Sequence, residues 1–316
     1  MVNKRDHGGG LDAAILSYGG QRSTWIDLST GINPVPYGIP EIAADGWTAL
    51  PDRAAADALI EAARQFWQVP HSASIIAAPG ASCLIANMPY LSAAKTVHIH
   101  GPTYNEHAAA FVAAGQTVSQ DGTRAETCDA QVVVHPNNPD GKLWDAGDIT
   151  APFKIIDESF CDVSPDASLV RRTTEPNTIV LKSFGKFWGL AGLRLGFAIG
   201  QPDLIAALSD RLGPWPVSGP ALQIGTAALR DENWAARTRT RLDQDTQRLD
   251  ALMRAKGSQP LGGTTLFRLY DVGDANAYQD KLAQAHIWSR TFPYSDRWLR
   301  LGLPHPTQWD RLEAAL

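Results

Sequence analysis

The sequence predicts an α/β protein with a mostly parallel central sheet, helices on both faces, and a smaller α+β domain. Three observations carry that prediction. Short apolar runs alternate with helix-like segments between residues 74 and 199, which is the rhythm of βαβ units. The runs end on polar or reactive residues, as in open sheets whose ligands bind beyond the carboxyl ends of the strands. From Gln201 onward helix-like segments dominate and only a few strand-like pieces follow.

The 316 residues suffice for one large α/β domain and a smaller one. A composition of 44% hydrophobic and 19% charged residues is that of an ordinary globular protein. The net charge of -5 leaves no electrostatic footprint for nucleic acid or an anionic membrane. Cys83, Cys128 and Cys161 lie far apart, without metal spacing or a disulfide framework, which fits a reducing compartment. No apolar signal core follows the charged start Met1–His7, and no run is long enough to span a bilayer, so a cytoplasmic enzyme is expected. No metal is expected either. Residues 1–35 are expected to form an N-terminal arm and a small-domain segment. The large domain is expected over 36–213 and the small C-terminal domain over 214–316, hinged at Pro214-Trp215-Pro216.

In chain order, His7-Gly8-Gly9-Gly10 is either a plain glycine tail or an arm whose histidine and backbone N–H groups wrap an anion. Trp25–Leu28 reads as a short strand turning into a loop whose Asn33 is a turn residue or a substrate contact. A helix is predicted over 53–67, with Leu59, Ala63 and Phe66 on one face and Asp52 as N-cap. The run 74–78 reads as a strand leading into Pro79-Gly80-Ala81-Ser82 and a helix from Cys83. Strand, small-residue turn and helix start together suit a phosphate, although neither a Walker loop nor a G-x-G-x-x-G is present.

Strands are then predicted at 96–99, 131–134, 154–156, 178–181 and 195–199. Pro102-Thr103-Tyr104 follows the first, Pro136-Asn137-Asn138-Pro139 the second, Asp157-Glu158 the third, and Ser183 with Lys186 the fourth. An aromatic, an amide, a carboxylate, a hydroxyl and a lysine therefore converge on one crevice. Each has an ordinary alternative as a core, turn or capping residue. A lysine just past a buried strand can be desolvated, which lowers its pKa and makes it a Schiff-base nucleophile; its ordinary alternative is a solvated surface residue. The glycines around Lys186 let a bulky cofactor approach the backbone.

Helices are expected at 202–212, 220–229 and 233–256, the last with Trp234, Thr238, Leu242, Leu249 and Leu252 on one face. A strand is expected at 264–269 and a helix at 275–285, followed by strand-like pieces at 287–290 and 298–303. Arg290 and Arg300 flank those pieces and would suit a doubly charged substrate.

The succession of small-residue turn, Pro-Thr-Tyr, Pro-Asn-Asn-Pro-x-Gly, Asp-Glu-x-Phe, Ser-x-x-Lys and Gly-Leu-Arg-x-Gly resembles the fold-type-I pyridoxal-phosphate enzymes over nearly the whole chain. Within them it is similar to the histidinol-phosphate aminotransferase branch. His7-Gly8-Gly9, the Asn33-Pro34 loop and Asp157-Glu158-Ser159-Phe160 resemble the threonine-phosphate decarboxylases of cobalamin biosynthesis.

The resemblance implies a PLP-dependent transferase-like fold, pyridoxal 5'-phosphate as cofactor, a phosphorylated amino-acid substrate and a homodimer. It implies that Lys186 holds the cofactor, that Asp157 pairs with its ring nitrogen, and that Tyr104 stacks on the ring. Asn138 would bond its 3′-oxygen, and Gly80, Ala81, Ser82, Ser183 and Arg194 would hold its phosphate. His7, Gly8, Asn33, Asn138, Arg290 and Arg300 would bind substrate. The reaction implied is decarboxylation of L-threonine O-3-phosphate, with a histidinol-phosphate-type transamination as the alternative. Two departures bear on that choice. Leu50 stands where the aminotransferases carry a tyrosine that reaches the partner subunit's cofactor phosphate, and Phe160 stands where they carry a tyrosine that bonds the 3′-oxygen. A DNA-binding regulator is disfavoured because no basic helix-turn-helix precedes the domain. A dehydrogenase is disfavoured because the glycine fingerprint is missing.

Overall fold

The computed structural model describes residues 6–120 and 127–316. In chain order the elements are α1 (Leu11–Tyr18), β1 (Ile26–Asp27), α2 (Ala44–Thr48), α3 (Arg53–Phe66), β2 (Ser74–Ala78), α4 (Ala81–Asn87), β3 (Thr96–Ile99) and α5 (Asn105–Ala113). Then come β4 (Thr117–Ser119), β5 (Ala130–Val134), β6 (Phe153–Asp157), β7 (Thr178–Ser183), β8 (Gly196–Gly200), α6 (Pro202–Leu212), α7 (Gly219–Arg230) and α8 (Glu232–Ala255). The chain closes with β9 (Gln259–Thr264), β10 (Phe267–Asp271), α9 (Ala275–Gln284), β11 (Ile287–Trp288), β12 (Arg290–Phe292), β13 (Ser295–Gly302) and α10 (Trp309–Ala315). None of these helices is long and apolar enough to cross a membrane.

Two units are distinguished. The larger comprises 36–138 and 142–236, the smaller 139–141, 237–316 and the residues up to 35. The larger unit is built on a seven-stranded sheet of order β2-β8-β7-β6-β5-β3-β4. The pairings among β4, β3, β5, β6 and β7 are parallel, and β8 is antiparallel to both its neighbours. A parallel pairing needs a long crossover. The chain instead turns straight back between Ser183 and Gly196, so β8 runs against β7, and that return is the loop that carries Lys186. β5, β6 and β8 are buried along their whole length, as Val- and Ile-rich strands covered on both faces must be. Leu84, Ile85, Val97, Phe111, Val132, Ile155, Leu181 and Leu208 fill one core beside this sheet.

Two expectations are corrected here. The boundary after residue 213 and the hinge at Pro214-Trp215-Pro216 do not hold, because 214–236 packs with the larger unit. Ser218 caps α7 by accepting from the Ala221 N–H, and α7 buries seven residues, among them Leu222, Ile224 and Leu229. A Cβ on Gly225 would sit 2.6 Å from Leu195 and 2.9 Å from Leu59, so α7 lies too close to α3 to belong elsewhere. The division falls inside α8 instead.

The strand expected at 264–269 is also two strands. β9 and β10 form a hairpin whose turn begins where the Thr264 hydroxyl accepts from the Leu266 N–H. That local bond competes with the extended ladder. In α8 the buried face carries Ala235, Thr238, Leu242, Leu249 and Met253, one position along from the expected Trp234 and Leu252.

The smaller unit pairs β12-β13-β10-β9 as an antiparallel sheet and β1 with β11 in parallel. Asp140 and Gly141 dock on β9. The Gly263 N–H donates to the Asp140 carbonyl at 2.6 Å, and a Cβ on Gly141 would lie 1.9 Å from the Gly263 carbonyl oxygen. Only glycine permits that approach.

Candidate active site

Strand alternation sorts the residues at the carboxyl ends of β5, β6 and β7 into those that face a cavity and those that face away. One cavity is lined by Ala81, Ser82, Tyr104, Asn138, Asp157, Ser183, Lys186 and Arg194, together with Phe160 and Ser159. The predicted catalytic residues Lys186, Asp157 and Tyr104 thus share one cavity, with every predicted cofactor residue except Gly80. Gly80 stands just behind: a Cβ there would meet the Arg194 guanidinium at 2.7 Å, and its φ is +85°.

Asp157 ends β6 and is buried. Its Oδ2 lies 2.8 Å from His107 Nε2, and its Oδ1 accepts from the Ser159 hydroxyl at 2.5 Å and the Ser159 N–H at 2.9 Å. Burial pushes the carboxyl's pKa up, but the His107 and Ser159 hydrogen bonds, with His107's charge, outweigh it and leave the group below the ordinary carboxylate range. A buried anion at this depth demands a cationic partner. His107 projects from the first turns of α5, directly after Tyr104, and its Nδ1 is buried without a hydrogen-bond partner.

Tyr104 hydrogen-bonds with Ser82, and burial, then the charges of Glu106 and Asp157, raises its pKa. The phenol therefore stays neutral at physiological pH. Asn137 sets the loop before Tyr104: its Oδ1 accepts from the Thr103 hydroxyl at 2.6 Å and its Nδ2 donates to the Pro102 carbonyl at 3.1 Å. This fixes the strand end that carries Asn138. Lys186 Nζ lies 5.2 Å from the centre of the Phe160 ring, so an apolar face rather than a phenol borders the amine.

At the other end of the cavity Arg194 adopts a left-handed backbone (φ 54°) and donates to the Ala191 carbonyl at 3.0 Å. A Cβ on Gly196 would lie 2.5 Å from the Ala81 nitrogen, so β8 presses against the start of α4. Hydroxyls of Ser82 and Ser183, the guanidinium of Arg194 and backbone N–H groups form an all-donor set, which suits a phosphate. With a buried carboxylate at one end, a donor set at the other and an amine between, the residues present fit pyridoxal phosphate.

The remaining predicted site residues, apart from Asn138, lie in the smaller unit. Arg300 is buried. Its Nη2 donates to the Ser29 carbonyl at 2.5 Å, and burial, followed by the charge of Arg290, lowers its pKa to about 10. Gly8 lies against the same carbonyl, where a Cβ would stand 2.4 Å from the oxygen. Arg290 donates to Asp6 and to the His7 carbonyl. His7, Gly8, Arg290 and Arg300 are thus brought together. The Asn33 side-chain oxygen accepts from the Val35 N–H at 3.1 Å and from Arg241 at 2.5 Å.

Sequence reasoning missed His107, Ser159 and Asp6. Ser159 had a local signal, being two residues past an aspartate in a turn. His107 and Asp6 had none, because their partners are 50 and 284 residues away.

A family model described as aminotransferase class I and II matches residues 24–315. The chain is 38% identical to a threonine-phosphate decarboxylase of a Sinorhizobium species, over 96% of this chain and 95% of that one. It is equally 38% identical to a threonine-phosphate decarboxylase of Pseudomonas aeruginosa, over 98% of this chain and 97% of the other. The fold is similar to that of a histidinol-phosphate aminotransferase from Sinorhizobium meliloti solved in complex with pyridoxal-5'-phosphate, with a TM-score of 0.83 at 20% identity, covering 98% and 93% of the two chains.

Proposed function

The chain belongs to the aminotransferase class I and II family, and on that premise we propose that it is a pyridoxal-phosphate-dependent carboxy-lyase. It decarboxylates L-threonine O-3-phosphate to (R)-1-amino-2-propanol O-2-phosphate, a step of cobalamin biosynthesis. The observation that carries the chemistry is the one cavity shared by Lys186 and Asp157. Full-length likeness to two threonine-phosphate decarboxylases supports the choice of reaction.

When bound, pyridoxal phosphate supplies an electron sink for the bond that breaks at the substrate's Cα. Asp157 would pair with the ring nitrogen and favour its protonated form, and its depressed pKa keeps it an anion able to do so. Tyr104 would stack on the ring, and Asn138 would bond its 3′-oxygen. Ser82, Ser183, Arg194 and the backbone at Gly80 and Ala81 would hold the phosphate. Arg290 and Arg300, with His7, Gly8 and Asn33, bind the substrate's anionic groups, Arg290 taking the phosphate. Binding energy gathered at that remote group orients the Cα–carboxylate bond for cleavage. Carbon dioxide leaves without the bonding electrons, and Lys186 delivers the proton that replaces it on Cα.

The enzyme is a homodimer in this reading. Ile39, Trp47 and Leu50 are each about two-thirds exposed, which suits a face covered by a second copy. Its three cysteines are thiols rather than disulfide halves, which fits the cytoplasm.

Enzyme loaded with pyridoxal phosphate and given threonine phosphate is expected to release carbon dioxide and a phosphorylated amino alcohol. A keto product that forms only with 2-oxoglutarate, without carbon dioxide, would establish an aminotransferase instead.

A further inference from the structure

Arg290 is already occupied by an anion. Its Nη1 and Nη2 donate to the two carboxylate oxygens of Asp6 at 2.5 and 2.6 Å, and Nη1 also donates to the His7 carbonyl at 2.7 Å. This is the fork geometry by which arginine also takes phosphate. The Arg290 side chain is 13% exposed, whereas that of Asp6 is 43% exposed, so the carboxylate approaches from the wet side.

We propose that Asp6 is a removable internal counter-ion, which fills the Arg290 guanidinium until the substrate's phosphate displaces it. The inference deepens the function proposed above and rests on its assignment of Arg290 to that phosphate. Three features make the exchange feasible. The arm is anchored independently of Asp6: the Gly9 N–H donates to the Ser29 hydroxyl at 2.6 Å, and Trp288 Nε1 donates to the Gly9 carbonyl at 3.0 Å. Gly9 and Gly10 follow at φ +85° and +74°, so the anchor is built from backbone conformations that exclude most side chains. A phosphate carries up to twice the charge of the carboxylate it replaces.

Arg300 is not screened in this way, since its Nη2 donates to a backbone carbonyl and it is buried. The two arginines therefore differ in kind. Arg290 alone of the two carries a fork to a carboxylate of the chain's own N-terminal arm.

A ligand that must expel an internal competitor binds more weakly by the fraction of molecules in which the site is open. For an ion pair with one wet partner that fraction corresponds to about two- to fivefold. The test uses the holoenzyme, wild type and the variants Asp6→Asn and Asp6→Ala. Inorganic phosphate affinity is measured by calorimetry, and KM is measured for threonine phosphate. Both variants are expected to bind inorganic phosphate about two- to fivefold more tightly than wild type, with KM lower by a similar factor. Placed in an Arg290→Met background, Asp6→Ala is expected to give no gain.

Unchanged or weaker phosphate binding in the Asp6 variants would overturn the proposal and leave Asp6 as an anchor of the arm. A gain that persists without Arg290 would overturn it as well. If the phosphate affinities follow expectation but no carbon dioxide is released from threonine phosphate, the functional reading fails and the counter-ion stands.

Discussion

At the scale of single residues the proposed chemistry rests on Lys186 and Asp157, and they differ in how much of their setting the sequence reveals. Both were legible because strand ends place side chains predictably: a polar residue that closes an apolar run points to the ligand side of an open sheet. The partner that keeps Asp157 ionised was not, since His107 reaches it only through the packing of α5 on the sheet. Replacing Lys186 by Ala should lower carbon dioxide release by about 10³-fold or more, as expected for loss of a proton carrier. Steady-state assays with threonine phosphate read that loss.

His107→Phe tests the electrostatics separately. Asp157 has a depressed pKa, so its carboxylate contributes stability above its unfolded pKa of about 3.9 and loses it as pH falls through the folded value. Without His107, burial is opposed only by Ser159 and the pKa rises. Spectrophotometric titration of cofactor binding should then show the acid limb moved to higher pH. An unmoved limb would mean that Ser159 alone keeps the group charged.

At the scale of elements, the end of the cavity proposed to hold the phosphate depends on close backbone approaches that no apolar pattern encodes. Gly80 is the sharpest case, with a left-handed φ and the Arg194 guanidinium where a Cβ would go. Gly80→Ala is expected to raise the cofactor dissociation constant about tenfold or more, because strain of about 1–3 kcal/mol falls on the residue that positions Arg194. Equilibrium titration of apoenzyme with pyridoxal phosphate measures it.

The buried strands were readable because strands covered on both faces are continuous apolar runs. The β9–β10 hairpin was not, because its turn is made by a threonine hydroxyl rather than by a glycine or proline pair. The same limit explains the misplaced boundary. Pro214-Trp215-Pro216 looks like a hinge in the sequence, yet the contact that decides membership is Gly225 against Leu59 and Leu195.

At the scale of the whole molecule, the sheet is held behind the cavity by a buried cation. Lys182 Nζ lies 2.5 Å from Glu158 Oε2 and 3.7 Å from Asp162 Oδ1. Burial works against its ammonium, but Glu158, Cys161 and Asp162 outweigh that and push its pKa up, so its stabilisation is complete at neutral pH. His135, Glu158 and Cys161 have the spacing of metal ligands. However, His135 Nδ1 accepts from the Trp144 N–H at 3.0 Å, and its Nε2 faces the Ala167 carbonyl at 2.7 Å, so neither nitrogen is available. The ammonium takes the place of an ion, and adding zinc or a chelator should leave the melting temperature unchanged.

Lys182→Met strands two carboxylates and should cost about 3–5 kcal/mol in urea unfolding. Such buried pairs are invisible to motif reasoning, since Lys182 reads simply as the residue before Ser183.

The central claim is that the amine of Lys186 holds the cofactor in the cavity that Asp157 closes. Borohydride reduction of the loaded enzyme followed by peptide mass spectrometry tests it most directly. The account predicts a single pyridoxyl-phosphate adduct on the peptide containing Lys186. An adduct on Lys142, Lys182 or any other lysine, with Lys186 unmodified, would contradict it.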